Sequence, residues 1–558
     1  MSSPTMPSAP VAGDQVPWPN PPREPGPWDG GPPIAPPGNT PLPPLPGAGG
    51  VVHGGGNAAN PWSTAQPPPE VNIPPSRVGP PPTGPAEPPA PLVDRAPTAV
   101  LVLAGLILAA GIAGLVYVVV AGGRSYPDAW DDRVAPIAEE VADLRELDFE
   151  HPVEVNFLSE EEYSARATEG ADDSVEATAY YDDQAAQLRA LGLLEGDVDL
   201  GEANDTLNDA GTLAFYDPTV EQVYVRGTEI TPALRVTLAH ELVHVLQDQH
   251  FDLERFDELT EDGRAASLRA LAEGDAEHVE DAYVSDVLTD DERAFYAEET
   301  RAAADGADEG VADVPPVLTT FFAAPYILGP RTIAYLDEEG GQSAIDEALQ
   351  DPPTEEELFN PLLLGSDAAE IRGDLTAEVP EGGAELERGD FGPTAWYLVL
   401  DARLDSTQAI AAVDGWGGDE YAVYRDGDDR VCVAASVIGD DEEATARLGD
   451  ALTAWVDGSP ADTAEISVDA GVIRFRSCDP GAEAEATGDA VTPDALAVPT
   501  VRTDLYLEAV GAGLADDDAT CLADGVVRTI PSEKILDGYL QTEASTADIQ
   551  ALRSECGF

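Results

Sequence analysis

The feature that most constrains this chain is a run without a single charge, Thr98 to Ala121 (TAVLVLAGLILAAGIAGLVYVVVA). At 1.5 Å per residue, a helix of this length crosses a hydrocarbon layer of about 30 Å. A buried helix of a water-soluble domain would keep a polar face, and this run has none. It begins too far from Met1 to be an ordinary cleaved leader, and no basic stretch precedes it near the start. It is expected to be a single transmembrane helix over 98–121, with the lipid bilayer as its partner. Whatever folds in water must then lie on one side of it or the other.

The two sides differ sharply in composition. The chain has 50 Pro, and most fall before residue 98, in runs such as Pro41-Leu42-Pro43-Pro44-Leu45-Pro46 and Pro80-Pro81-Pro82. Such runs favour extended polyproline II and offer little apolar surface to bury. Residues 1–97 are therefore expected to be a Pro-rich disordered tail. Arg95 and Arg124 flank the run almost symmetrically, so the positive-inside rule is nearly silent. The cysteines orient the chain instead. Cys432, Cys478, Cys521 and Cys556 all follow the span and form no close CxxC pair. That favours disulfides in an oxidising compartment over a thiolate metal site. Pairing within modules gives Cys432–Cys478 and Cys521–Cys556. The tail is then cytoplasmic, and the domains after the span face outward from the cytoplasmic membrane.

The formal charge of −79 comes from 107 acidic and 28 basic residues, with one lysine, Lys534. No basic cluster is present to replace phosphate counterions, so a nucleic-acid partner is not expected. The acids are dispersed over every segment, as in a solvated surface adapted to a salty medium.

After the span, Val134, Ile137, Val141 and Leu144 repeat at helical spacing, and Val153–Leu158 alternates like a strand. Thr212–Tyr216 and Val220–Val225 flank the turn residues Asp217-Pro218-Thr219, as in a hairpin. A helix is expected from Thr231-Pro232 onward, a second over Ala265–Leu288, and more helix over Thr332–Leu349. Residues 385–480 read as a small α+β module with an Asp426-Gly427 turn. Residues 481–497 read as an acidic linker, and 498–558 as a helical disulfide module.

The helix after Pro232 carries His240-Glu241-Leu242-Val243-His244, although the chain has only six histidines. Residues four apart project from one helix face, so two imidazoles can bind one Zn²⁺. Glu241 is placed to act as general base toward a zinc-activated water. His250 has the spacing of a third histidine ligand, but Gln247 stands where the metzincin pattern needs Gly. A continued helix turns His250 about 240° away from His244. The only methionines, Met1 and Met6, exclude a Met-turn. Glu273, 29 positions after His244 in Ala270-Leu271-Ala272-Glu273-Gly274-Asp275-Ala276, is the better third ligand. Asp275, Glu277, His278 and Glu280 are nearby alternatives, with Asp275 the first choice for an outer partner of a ligand imidazole. Tyr326, ahead of Tyr335, is the candidate donor to a tetrahedral intermediate. Val220–Val225 is the candidate edge strand for an extended peptide. Trp416, between two glycines, reads as a packing anchor.

The segment Glu273-Gly274-Asp275-Ala276 resembles the Glu-Gly-x-Ala stretch that supplies the third ligand in gluzincin metallopeptidases of the aminopeptidase type. The longer stretch Thr237–Leu253 is similar to one in a group of largely uncharacterised bacterial membrane-anchored proteins resembling metallopeptidases. Pro325-Tyr326-Ile327-Leu328-Gly329 and Gly415-Trp416-Gly417-Gly418-Asp419 also resemble segments of that group, and the likeness covers residues 135–455. It implies an α+β architecture with a zincin-like domain over 125–380. Read with the motif residues, it leads to the expectation of a zinc cofactor on His240, His244 and Glu273, and of hydrolysis of an extracytoplasmic polypeptide with Glu241 and Tyr326 as catalytic groups. The rival expectation is a non-catalytic partner-binding or envelope-organising ectodomain on the same scaffold.

Overall fold

The computed structural model describes residues 126–558, apart from 168–174, 211–212, 263, 366–374, 485–487 and 489. The tail expected over 1–97 and the span expected over 98–121 lie outside the described residues. Among the described residues, no helix is long and apolar enough to cross a membrane.

The architecture is mixed α+β and holds two sheets. The first has three strands, β1 (Glu154–Leu158), β2 (Ala214–Asp217) and β3 (Gln222–Arg226), in the order β1-β3-β2. β2 and β3 form the expected antiparallel hairpin, with Phe215 opposite Tyr224. β1 pairs parallel to β3, with Val155 opposite Val223. That pairing corrects one expectation. The segment at 220–225 is the centre of the sheet, not its edge, because a strand some seventy residues earlier in sequence takes the far side. The edges are β1 and β2.

The motif helix, Pro232–Phe251, packs on this sheet. The Thr231 side chain accepts from the Leu234 amide, which satisfies one of the free N–H groups at the helix start. The helix runs unbroken through Gln247 to Asp252, which adopts the left-handed conformation and ends it. Val134, Val141, Val153, Val223, Leu238, Leu242 and Ala276 share one buried cluster beneath it. Two further helices complete the region, Arg264–Ala282, which carries Glu273, and Pro316–Gly340, which carries Tyr326. The first continues into a π-helical turn, Tyr283–Val287. The helix expected over 332–349 is broken at Gly341, whose φ of 62° only glycine adopts readily.

The second sheet is antiparallel, with the order β4-β5-β6-β8-β7. Its strands are β4 (Ala384–Gly389), β5 (Trp416–Arg425), β6 (Val431–Gly439), β7 (Ala464–Asp469) and β8 (Val472–Cys478). Cys432 and Cys478 lie opposite one another on β6 and β8 and are bonded. Cys521 and Cys556 form the second disulfide, between the helices Asp516–Thr529 and Thr546–Cys556. The stretch expected as a linker over 481–497 enters a helix at Pro493.

The largest core joins segments that look separate in sequence. Leu188, Phe321, Trp396, Val433 and Leu522 belong to one buried cluster. Asp419, in the Gly415–Asp419 segment, accepts from the amides of Phe391 and Gly392 and from the Trp416 indole. The segment is thus the start of β5, tied through Asp419 to the beginning of the helix Gly392–Asp401.

Candidate metal centre

His240 and His244 stand one turn apart on the motif helix, with ring centroids 4.9 Å apart. Both rings keep slight exposure on a helix that is otherwise buried around most of its circumference. Glu273 faces them from the neighbouring helix. Its Oε2 lies 3.3 Å from His240 Nε2 and 3.4 Å from His244 Nε2. One ligand atom from each of the three residues falls within 4.8 Å of the others. The spacing suits a small cation. Tetrahedral bonds of 2.0–2.1 Å place neighbouring ligand atoms about 3.3 Å apart. Two neutral nitrogens and one carboxylate oxygen form a donor set for a divalent metal.

Charge within the group is mutually compensated. Burial works against the Glu273 carboxylate, but His244 and His240 outweigh it and hold the group well below the usual carboxylate range. Burial also opposes a charged His240, yet Glu273 and Glu280 lift it well above its ordinary value. His244 is raised in the same way, chiefly by Glu273. Glu241 is buried beside them. Its pKa is raised, because burial exceeds the pull of the two imidazoles. The Tyr216 amide donates to its carboxyl group. Arg226 N–H donates to Leu213 O across the hairpin. The alternation of strand bonds therefore turns the Tyr216 amide away from β3, toward the motif helix. The free edge that meets the site is β2.

Tyr326 reaches the same point from the third helix. Its hydroxyl is hydrogen-bonded to Glu273, and burial together with that carboxylate holds it well above the ordinary tyrosine value. A close helix crossing places it there. Gly274, next to Glu273, and Gly329, three residues after Tyr326, meet at the contact between their helices, where a Cβ on either would collide with backbone. The segments Glu273–Ala276 and Pro325–Gly329 are thus the two halves of one helix contact.

Of the four candidates for an outer partner, Glu280 takes the place at an imidazole and the first choice, Asp275, does not. His240 Nδ1 lies 3.1 Å from Glu280 Oε2, and Tyr296 donates to the other oxygen of Glu280 at 3.0 Å. Asp275, the first choice for that role, touches neither imidazole. It is fully buried, paired with Arg145 and bonded to Gln247, because two residues on from Glu273 the helix has turned its side chain to another face. Gln247 is the residue that meets His244, with Oε1 2.9 Å from Nδ1. Glu277 is buried, and burial with Glu280 and Asp281 pushes it up to about 8. His250 turns away, its Nε2 2.9 Å from the Asp148 carbonyl. Tyr335 packs its ring against Tyr506, with centroids 5.5 Å apart, instead of entering the site. His278 is not part of the three-residue group.

Sequence reading missed Arg145, the Tyr216 amide and the part played by Gln247. Arg145 ends a helix about a hundred residues before the motif, with no local signal. Gln247 registered only as a missing glycine, although its spacing of three from His244 puts it within side-chain reach. A second grouping, Asp426 with Cys432 and Cys478, offers no metal site, because its two sulfurs are bonded to each other.

Compared with protein-family models, curated proteins and solved structures, the chain matches none.

Proposed function

We propose that this chain is a membrane-anchored zinc metallopeptidase of gluzincin type. It cleaves peptide bonds of a polypeptide outside the cytoplasmic membrane. The reading rests on one observation above all. His240 Nε2, His244 Nε2 and Glu273 Oε2 converge at 3.3 and 3.4 Å beside the buried carboxyl of Glu241. A partner-binding scaffold has no use for such a base.

His240, His244 and Glu273 would hold the zinc. When bound, that ion supplies Lewis acidity to a scissile carbonyl and makes water a nucleophile near neutral pH. Glu241 takes the proton of the attacking water on its carboxylate and passes it to the leaving amine. The Tyr216 amide holds that carboxylate in place. Tyr326 O–H donates to the oxygen that gains charge. The outer side of β2, at Ala214, is the edge that an extended substrate would meet. Two disulfides and the apolar run at 98–121 support an outward-facing, anchored domain.

The test compares the zinc-loaded full chain in detergent with its Glu241→Gln variant on a mixed peptide library. Cleavage is expected to fall by about 10²- to 10⁴-fold while zinc content stays the same. Equal cleavage at equal zinc occupancy overturns the catalytic reading and favours a binding role.

A further inference from the structure

One ligand imidazole is held by a relay that leads away from the metal centre to the first helix of the described chain. Gln247 is completely buried. Its Nε2 donates to the Ala272 carbonyl at 2.9 Å and to Asp275 Oδ2 at 2.8 Å. Its Oε1 lies 2.9 Å from His244 Nδ1. Asp275, also completely buried, has Arg145 Nε 2.9 Å from its carboxylate oxygens. Arg145 is the last residue of the helix Ala135–Arg145 and is itself fully buried. It spends a second nitrogen on Asp346, at 2.6 Å.

Donor and acceptor counting fixes every direction in this chain. A backbone carbonyl and an ionised carboxylate only accept. The Gln247 amide must therefore point its NH₂ at Ala272 and Asp275, and both hydrogens are used there. The reverse orientation would set its oxygen against two acceptors in a buried site, where unmade bonds cost most. Its oxygen is then left facing His244 Nδ1. An amide oxygen cannot donate, so Nδ1 must carry the hydrogen. A neutral imidazole protonated at Nδ1 keeps its lone pair on Nε2, and Nε2 is the atom that faces Glu273. His240 is held differently, by the Glu280 carboxylate directly on its Nδ1.

We infer that Gln247 is a positioning residue that keeps His244 in its metal-binding tautomer. The Arg145–Asp275 pair orients Gln247 in turn, so the helix Ala135–Arg145 contributes to metal affinity. The inference rests on the metal centre proposed above. Outer partners of ligand imidazoles typically change metal affinity by about 10- to 100-fold.

The experiment measures zinc affinity of the full chain by chelator competition, the cobalt(II) absorption spectrum and the thermal melt. It compares the wild type with Gln247→Met, Gln247→Asn and Gln249→Met. Gln249 is the control. It sits on the same helix, and its amide bonds to the His151 carbonyl and the Glu150 amide, far from the ligands. Gln247→Met is expected to lose about 10- to 100-fold in zinc affinity and to alter the cobalt spectrum, with Gln249→Met unchanged in both. If the methionine variant does not fold, Gln247→Asn decides. Its shorter amide keeps polarity but cannot span from Asp275 to His244, and the same loss is expected. Wild-type affinity and spectrum in either folded Gln247 variant overturn this inference alone. Failure of the wild type to bind zinc, or zinc binding that survives His244→Ala, overturns it together with the metal centre.

Discussion

Gly274 and Gly329 meet backbone to backbone. A Cβ on Gly274 would lie 2.4 Å from the Gly329 carbonyl carbon, and one on Gly329 would lie 1.9 Å from the Ala270 carbonyl oxygen. No side chain can give way there, because both obstacles are main chain. The contact sets how closely the Glu273 helix approaches the Tyr326 helix, and so whether the Tyr326 hydroxyl reaches Glu273.

Replacing Gly329 by Ala should therefore force the two helices apart. Overpacking a tight site costs about 1–3 kcal/mol, and a clash with backbone belongs at the upper end. A thermal melt should show a clear loss of stability. Gly511→Ala is the contrasting change, because a Cβ there meets nothing within 4 Å. It should leave stability unchanged or raise it by about 0.5–1 kcal/mol.

Tyr326→Phe removes only the hydroxyl. If that group donates to the developing oxyanion, kcat should fall by about 10²- to 10³-fold with little change in KM. Zinc content should be unaffected, since Tyr326 is not one of the three converging ligands. Steady-state kinetics with a peptide substrate separates this from a packing role, which would lower the melting temperature and leave kcat largely intact.

Glu355 gives a pH signature away from the metal centre. Burial, with Asp390 and Asp419 adding to it, pushes this carboxyl up to about 8. The ordinary value is 4.5. Between the two, the folded protein keeps a proton that the unfolded chain has released. Stability from this group is complete at low pH and is lost as pH rises through that window. The slope is at most about 1.4 kcal/mol per pH unit. Glu355→Gln removes the titration. Denaturant unfolding at pH 5 and pH 8 should show the variant gaining on the wild type at the higher pH.

Much of the site is legible in the sequence because its signals are local. Thr231-Pro232 marks a helix start, and the spacing of His240 and His244 needs only that helix to continue. It does continue, through Gln247, and this carries His250 away. Glu273 could be singled out by the glycine beside it, and the two disulfides by the positions of four cysteines. What escaped depends on contacts distant in sequence. The parallel pairing of β1 with β3 moves the free edge to β2, and nothing in either strand's own pattern reveals it. The Arg145–Asp275 pair spans 130 positions. The shared core of Leu188, Trp396 and Leu522 joins segments whose compositions read as separate modules. Local periodicity specifies elements, while tertiary packing decides which of them meet.

The decisive question for this protein is whether zinc lies between His240, His244 and Glu273. Crystals of the zinc-loaded protein, measured at the zinc absorption edge, answer this directly in an anomalous difference map. One strong peak per chain is expected, about 2.0–2.2 Å from His240 Nε2, His244 Nε2 and a Glu273 oxygen. A fully loaded protein whose only peak lies elsewhere, or whose third protein ligand is not Glu273, contradicts the proposed centre.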